Sequence, residues 1–340
     1  MDPPGRQKSS RRPAPHHVGH GRAGGKLILA GEHAVVYGTA ALAVGLPRAL
    51  RASVRRAPAA APSCLALRGA LRGAAARRDH DDLGRALAAL LAIEPAPGPV
   101  AATIEGDLPA GMGLGFSAAA GVAVARAVEG LLGGAPPPER VERRAMAWER
   151  VFHGNPSGVD VAAAMHGGCL HFTRALGIEP LRADGALVLC VGLTGARGST
   201  REMVARVAAL RRRRRRAVGA AIDGIGVLVE QAQAALRALD GERLGGLMDR
   251  NQILLETLGV STPAIEALCA AARGAGALGA KLTGSGGGGA VVALGGLVPR
   301  GEEQARRAAR WRAGRILGSW RAMGAAGFLA RVALGRAEGT

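Results

Sequence analysis

The sequence predicts an α+β protein of two domains joined near residue 180. Three observations carry that reading: a length of 340 residues with 48% hydrophobic content, helix-period and strand-period segments interleaved in both halves, and no repeat period. A chain of this size can bury two cores, and interleaved short strands and helices assemble as layered α+β units. The expected division is a basic tail over residues 1–24, an N-terminal domain over 25–178 and a C-terminal domain over 179–340.

Each element follows from its local pattern. Residues 1–24, rich in Pro, Arg, His and Gly and without periodicity, read as disordered. From Lys26, KLILAGEHAVVYG reads as a strand, a turn and a second extended piece, and ALAVGLPRALRASV continues as strand-like alternation. Asp81 to Ala92 suits a helix, and VAATIEGDLP a strand running into a glycine loop. Helices over Ser117 to Leu132 and Pro138 to Phe152 come next, then a turn at GNPSG, a helix at VDVAAAM and a strand at GGCLHFT that closes the first domain. The second domain opens with the strand GALVLCVGL and continues with helices around Ser199 to Leu210 and Ala217 to Leu239. A helix-strand-loop-strand unit spans TPAIEALCAAARGAGALGAKLTGSGGGGAVVAL, and a basic helix from Glu302 to Met323 and a strand at GFLARVAL finish the chain.

Composition narrows the function classes. The formal charge is +19, but ten of those charges sit in residues 1–24 and in the run Arg211 to Arg216, and with one tyrosine there is no stacking platform for single-stranded nucleic acid. No nucleic-acid partner is expected. The run itself reads as a solvated helix extension or loop. The four cysteines form no Cys-x-x-Cys pair, and the first 24 residues lack the apolar segment of a secretory signal. The one uncharged stretch of membrane-span length, Leu108 to Ala125, holds Pro109 and four glycines and reads as a loop entering a helix. A cytoplasmic protein without a membrane partner is expected.

Lysine usage singles out one position. Only Lys8, Lys26 and Lys281 are lysines; the other 42 of 45 basic residues are arginines. A compact ammonium and a planar guanidinium with five donors are not interchangeable at a tight site. Lys26 and Lys281 each open a glycine-containing motif, and Lys26 looks chosen for shape.

Three further motifs carry chemistry. LPAGMGLGFSAAAG places Gly111, Gly113 and Gly115 before a helix start, where close backbone approach and unpaired N–H groups suit a phosphate; an ordinary glycine turn is the alternative. It is neither a Walker nor a Rossmann pattern. WERVFHGNPSGVD supplies two acids. Glu149 borders the apolar helix face of Val141, Ala145, Trp148 and Phe152, as either a cation partner or a solvated rim charge. Asp160 fits a Ser157-x-x-Asp160 capping box, which does not preclude a role as a base. In KLTGSGGGGAVVAL, five glycines between Gly284 and Gly289 require something to approach the backbone closely, another loop or a ligand.

Taken in order, GKLILAGEHAVVYG, LPAGMGLGFSAA, HGNPSGVD and GAKLTGSGGGG resemble the signature motifs of the GHMP small-molecule kinases, specifically the group that acts on mevalonate. The resemblance runs from about Gly25 to Leu334. It implies a GHMP kinase fold, with a left-handed βαβ crossover in the N-terminal domain, a ferredoxin-like C-terminal domain and the site between them. It implies ATP as phosphoryl donor, with Pro109, Ala110, Gly111, Met112, Gly113, Leu114, Gly115, Phe116, Ser117 and Ala118 around the nucleotide. Ser117 and Glu149 would hold Mg²⁺, Asp160 would be the base, and Lys26 would lie beside Asp160 and the accepting oxygen. Glu32, His33 and Thr200 match positions at or near the mevalonate pocket; His33 could equally serve the turn, and Thr200 could cap a helix.

The resemblance also leaves a homodimer open. One departure stands out: Phe116 replaces the first of two adjacent serines usual in the phosphate loop, and must turn into the core or crowd the nucleotide. Two alternatives follow, a sister kinase acting on phosphomevalonate or a similar alcohol, and a non-catalytic nucleotide-binding relative.

Overall fold

The computed structural model of the chain describes residues 18–71, 77–135, 137–154 and 156–335. The expected tail lies outside them for residues 1–17 and is corrected for residues 18–24. Those seven residues begin β1 (Val18–Ala30), which runs antiparallel to β2 (Ala41–Arg56) from Val18 opposite Arg55 to Ala30 opposite Leu42. Between them the second extended piece expected from AVVY is instead a 3-10 helix, Ala34–Tyr37. Positive φ at His33 (61°) and at Gly38 (96°) brackets it, so the chain reverses within one turn despite its β-branched residues.

The first domain continues with β3 (Cys64–Leu67), α1 (Arg77–Leu91), β4 (Val100–Gly106), α2 (Phe116–Leu132), α3 (Pro138–His153), α4 (Val159–His166), β5 (Cys169–Thr173) and β6 (Gly177–Leu181). Its sheet has the order β3-β4-β2-β5-β6, with β1 also on β2. Strands β3 and β4 are parallel and joined across α1, a βαβ unit; the other pairs are antiparallel.

The second domain contains β7 (Gly185–Leu193), α5 (Thr200–Arg213), α6 (Arg215–Arg237), α7 (Gly241–Thr257), α8 (Pro263–Gly274), β8 (Gly279–Thr283), β9 (Ala290–Pro299), α9 (Glu303–Ala322) and β10 (Gly327–Ala333). The antiparallel sheet order is β10-β7-β9-β8. First and last strands are neighbours and helices fill the two crossovers, which is the ferredoxin-like arrangement. Helix α7 is an addition to the expected elements: Gly241, Gly245 and Gly246 obscure its periodicity, but Asp240 caps it by accepting from the Arg243 N–H at 3.0 Å.

Helix α2 is the central beam of the first domain, with alanines and valines from Ala118 to Val128 buried. Such small side chains let β1 approach closely. An ideal Cβ on Gly21 would lie 2.0 Å from the Ala123 carbonyl oxygen, and one on Gly19 would lie 1.9 Å from that of Ala127. Gly21→Val is therefore expected to force β1 off α2 and destabilise the fold by about 1–3 kcal/mol. A thermal melt checks this, and an unchanged Tm would contradict the close approach.

Candidate active site

Lysine 26 enters the site from β1, beside the glycine loop. Its backbone N–H donates to the Leu114 carbonyl at 2.9 Å, pinning the loop to the strand, and its stem crosses Gly115, where an ideal Cβ would be 2.7 Å from the lysine Cγ. Gly111, Gly113 and Gly115 have φ of 73°, 72° and 73°. Three alternating left-handed residues are accessible to glycine without steric strain, and they turn the loop over the start of α2. Gly115 is the N-cap of α2 and makes no side-chain cap bond. The first N–H groups of α2 thus have no capping side chain, the arrangement that favours a phosphate.

Five polar side chains converge at this loop. Lys26 Nζ is 3.1 Å from Asp160 Oδ1, with the lysine side chain buried and the aspartate 32% exposed. Ser117, in the first turn of α2, donates its hydroxyl to the Glu149 carboxylate, and His153 Nε2 lies 3.5 Å from the other Glu149 oxygen. Burial pushes Glu149 up to about 7; the Ser117 hydroxyl opposes that rise, the Asp160 charge adds to it and Lys26 lowers it. Burial also lowers the pKa of His153.

The expected capping box does not form, which corrects that reading of Asp160. The N-cap of α4 is Gly158, without a side-chain cap bond, and Ser157 Oγ accepts from the Val159 N–H at 3.4 Å. Asp160 is thus paired with Lys26 and keeps part of its side chain open to solvent. Phe116 is half-buried and packs against the main core, so it is drawn inward.

On the opposite side, the glycine run is approached by other loops. An ideal Cβ on Gly284 would be 3.1 Å from the Gly113 oxygen, on Gly286 2.2 Å from the Val260 oxygen, and on Gly289 3.0 Å from the Met112 oxygen. The question left open by the sequence is answered by loop-on-loop packing. Ser285, within that run, gathers two of the three remaining candidates. The His33 ring makes a 2.9 Å hydrogen bond with its carbonyl, and the Thr200 hydroxyl donates to its Oγ at 3.3 Å. Thr200 is not a helix cap; Ser199 is, accepting from the Glu202 N–H at 3.3 Å. Burial lowers the pKa of His33.

Glu32 stands apart. Its carboxylate is buried, paired with Lys281 and hydrogen-bonded by Asn251 Nδ2 at 3.1 Å. His153, Ser285, Asn251 and Lys281 join the site's surroundings beyond the residues expected from sequence. His153 had a legible signal, since it lies four residues after Glu149 on one helix. Asn251 had none, because it meets Glu32 only across the domain boundary; Ser285 was flagged only as part of the glycine run, its partners His33 and Thr200 being far away in sequence.

Among the described residues no cluster of three or more His, Cys, Asp or Glu could hold a metal by itself. The paired Ser117 hydroxyl and Glu149 carboxylate fit a hard divalent ion that takes its remaining oxygens from phosphates and water. No described helix is long and apolar enough to cross a membrane.

Comparison with known proteins follows this geometry. The GHMP kinases N terminal domain model matches residues 82–168 and the GHMP kinases C terminal model residues 232–314. Mevalonate kinase of Aeropyrum pernix is 36% identical over 279 residues, 79% of this chain and 86% of that protein. Mevalonate kinase of Thermococcus gammatolerans is 40% identical over 200 residues; that match spans 57% of this chain and only 59% of the relative. Among solved structures, L. major mevalonate kinase in complex with R-mevalonate superposes with a TM-score of 0.77 at 29% identity, covering 94% of this chain and 97% of that one.

Proposed function

This chain belongs to the GHMP kinases, within their mevalonate kinase branch, and from that premise we propose that it transfers the γ-phosphoryl group of ATP to the primary hydroxyl of mevalonate, giving 5-phosphomevalonate. The observation that carries the reading is the Lys26–Asp160 pair, 3.1 Å apart, set against a glycine loop that opens α2. Phosphoryl transfer asks a protein mainly for positioning and charge neutralisation. Asp160, partly open to the cleft, accepts the hydroxyl proton as the alcohol attacks. Lys26 neutralises charge developing on the accepting oxygen and the transferred group.

The loop from Pro109 to Ala118 holds the ATP phosphates against the α2 N-terminus. Ser117 and Glu149 would hold Mg²⁺, which would supply charge neutralisation at the donor phosphates. Glu149 must be ionised for this; burial pushes its pKa up to about 7, and a cation beside it would favour the ionised form. His33 and Thr200, both tied to Ser285, border the alcohol side. The enzyme works in the cytoplasm on small molecules, with no nucleic-acid or membrane partner.

The test is a coupled ADP-release assay of purified protein with Mg²⁺ over mevalonate, phosphomevalonate, homoserine and galactose. Turnover with mevalonate, exceeding that with the other three, is expected. Preference for phosphomevalonate would move the chain to the sister activity, and no turnover with any of them would favour the non-catalytic relative.

A further inference from the structure

The second lysine outside the tail, Lys281, has no place in the phosphoryl-transfer chemistry, yet it too escapes the chain's preference for arginine. It lies on β8 and is fully buried. Its ammonium pairs with the Glu32 carboxylate and donates to the carbonyl oxygens of Leu282 at 2.6 Å and Ile28 at 3.4 Å. Three acceptors thus meet three N–H donors, a match that a planar fork with five donors would not make.

The partners come from both domains. Glu32 and Ile28 belong to the end of β1 and the turn after it, while Lys281 and Asn251, which donates to the other Glu32 oxygen at 3.1 Å, belong to β8 and α7. Two residues beyond Lys281, Thr283 Oγ accepts from the Ile28 N–H at 2.8 Å and donates to the Ile28 carbonyl at 3.2 Å. The domains are therefore fastened strand to strand. A fully desolvated ion pair is weak evidence for stabilisation in itself, because removing both charges from water offsets their attraction.

What adjoins the fastening is the site. Glu32 immediately precedes His33, whose positive φ of 61° sets the turn before the 3-10 helix. Thr283 immediately precedes Gly284, which packs on Gly113 of the phosphate loop, and Ser285, which receives both His33 and Thr200. Both walls of the cleft are thus set from one buried point. The geometry points to Lys281 as a positioning residue: with Glu32 it forms an interdomain bolt that holds the 284–289 loop against the phosphate loop and holds His33 against Ser285. Glu32, with both carboxylate oxygens engaged, is half of that bolt and does not contact substrate. This deepens the function proposed above and rests on it.

The experiment compares kcat, KM for mevalonate, KM for ATP and Tm of Lys281→Met, Lys281→Arg, Glu32→Gln, the Lys281→Met/Glu32→Gln double variant and Thr283→Val, each assayed well below its Tm. Lys281→Met is expected to raise both KM values and lower kcat/KM by about 10- to 10²-fold, the cost of misplacing groups at a distance from the chemistry. Lys281→Arg does not rescue it. The double variant is no worse than the single ones, as for two groups acting as one unit. Thr283→Val shifts both KM values in the same direction, by less. Folded variants with wild-type kcat and KM and only a lower Tm would overturn the proposal, leaving a purely stabilising pair. Should Lys281→Met fail to fold, the double variant, which leaves no unpaired buried charge, and Thr283→Val decide by the same criterion. A wild type inactive on mevalonate would refute the assigned function, while weakened nucleotide binding in the variants would still report the bolt.

Discussion

Asp160→Asn is expected to lower kcat by about 10²- to 10⁴-fold, the range a positioned general base contributes. Asparagine keeps the shape of the side chain and can still accept a hydrogen bond from Lys26, but it cannot take the proton from an attacking alcohol. The fold should be indifferent to the change. Asp160 does not cap α4, whose N-cap is Gly158, and it is ion-paired with Lys26. Steady-state kinetics on a variant with wild-type circular dichroism checks this, and near-normal turnover would remove Asp160 from the chemistry.

Replacement of Lys26 should be nearly as damaging, and it separates shape from charge. Lys26→Met keeps most of the stem and deletes the ammonium; Lys26→Arg keeps the charge and widens the head group. The lysine is buried, with its stem against Gly115 and its ammonium 3.1 Å from Asp160. A guanidinium in that space would displace Asp160 or fill the path of the alcohol. Both variants should lose about 10²- to 10³-fold in turnover, as expected when an electrostatic stabiliser is removed or misplaced. Full activity of the arginine variant would mean that charge alone suffices. Full activity of the methionine variant would remove Lys26 from the mechanism.

The site was legible where its chemistry depends on local order. Glycines before a helix start, an acid at the edge of an apolar helix face and a lysine spared from an arginine habit are each visible within a few residues. Their assembly was not visible in that way, because Lys26, Ser117, Glu149 and Asp160 come from β1, α2, α3 and α4 and meet only in the folded domain. Resemblance to a family supplied that step.

The misreadings have physical causes. Val18 to Gly24 looked like a tail because glycine and arginine are typical of disordered segments, whereas Gly19 and Gly21 alternate on the face that touches α2, and His20 and Arg22 alternate on the exposed one. The period of two was present, carried by absence of side chains instead of by hydrophobicity. The same blindness hid α7, where Gly245 is small because an ideal Cβ would lie 2.1 Å from the Leu278 carbonyl oxygen. The capping box failed because Gly158, with φ of 91°, ends the turn and takes the N-cap place, which leaves Ser157 outside the helix.

Loop residues that meet across domains were legible only in part. The glycine run from Gly284 announced a close approach, and that approach is by the phosphate loop, by Val260 and by the 194–198 segment, where an ideal Cβ on Gly198 would be 2.5 Å from the Gly286 oxygen. Lys281 was marked out by its residue type but not by its partner, which lies 249 positions away.

The central claim is that this cleft phosphorylates the primary hydroxyl of mevalonate through Lys26 and Asp160. Phosphorus NMR of the reaction mixture tests it most directly, because it identifies the bond that forms. With mevalonate, ATP and Mg²⁺, the wild type should yield a new phosphomonoester resonance coupled to the C5 methylene protons, in equal amount to ADP, and Asp160→Asn should yield neither over the same time. ADP appearing together with inorganic phosphate, a phosphate on another carbon, or equal product from Asp160→Asn would contradict the account.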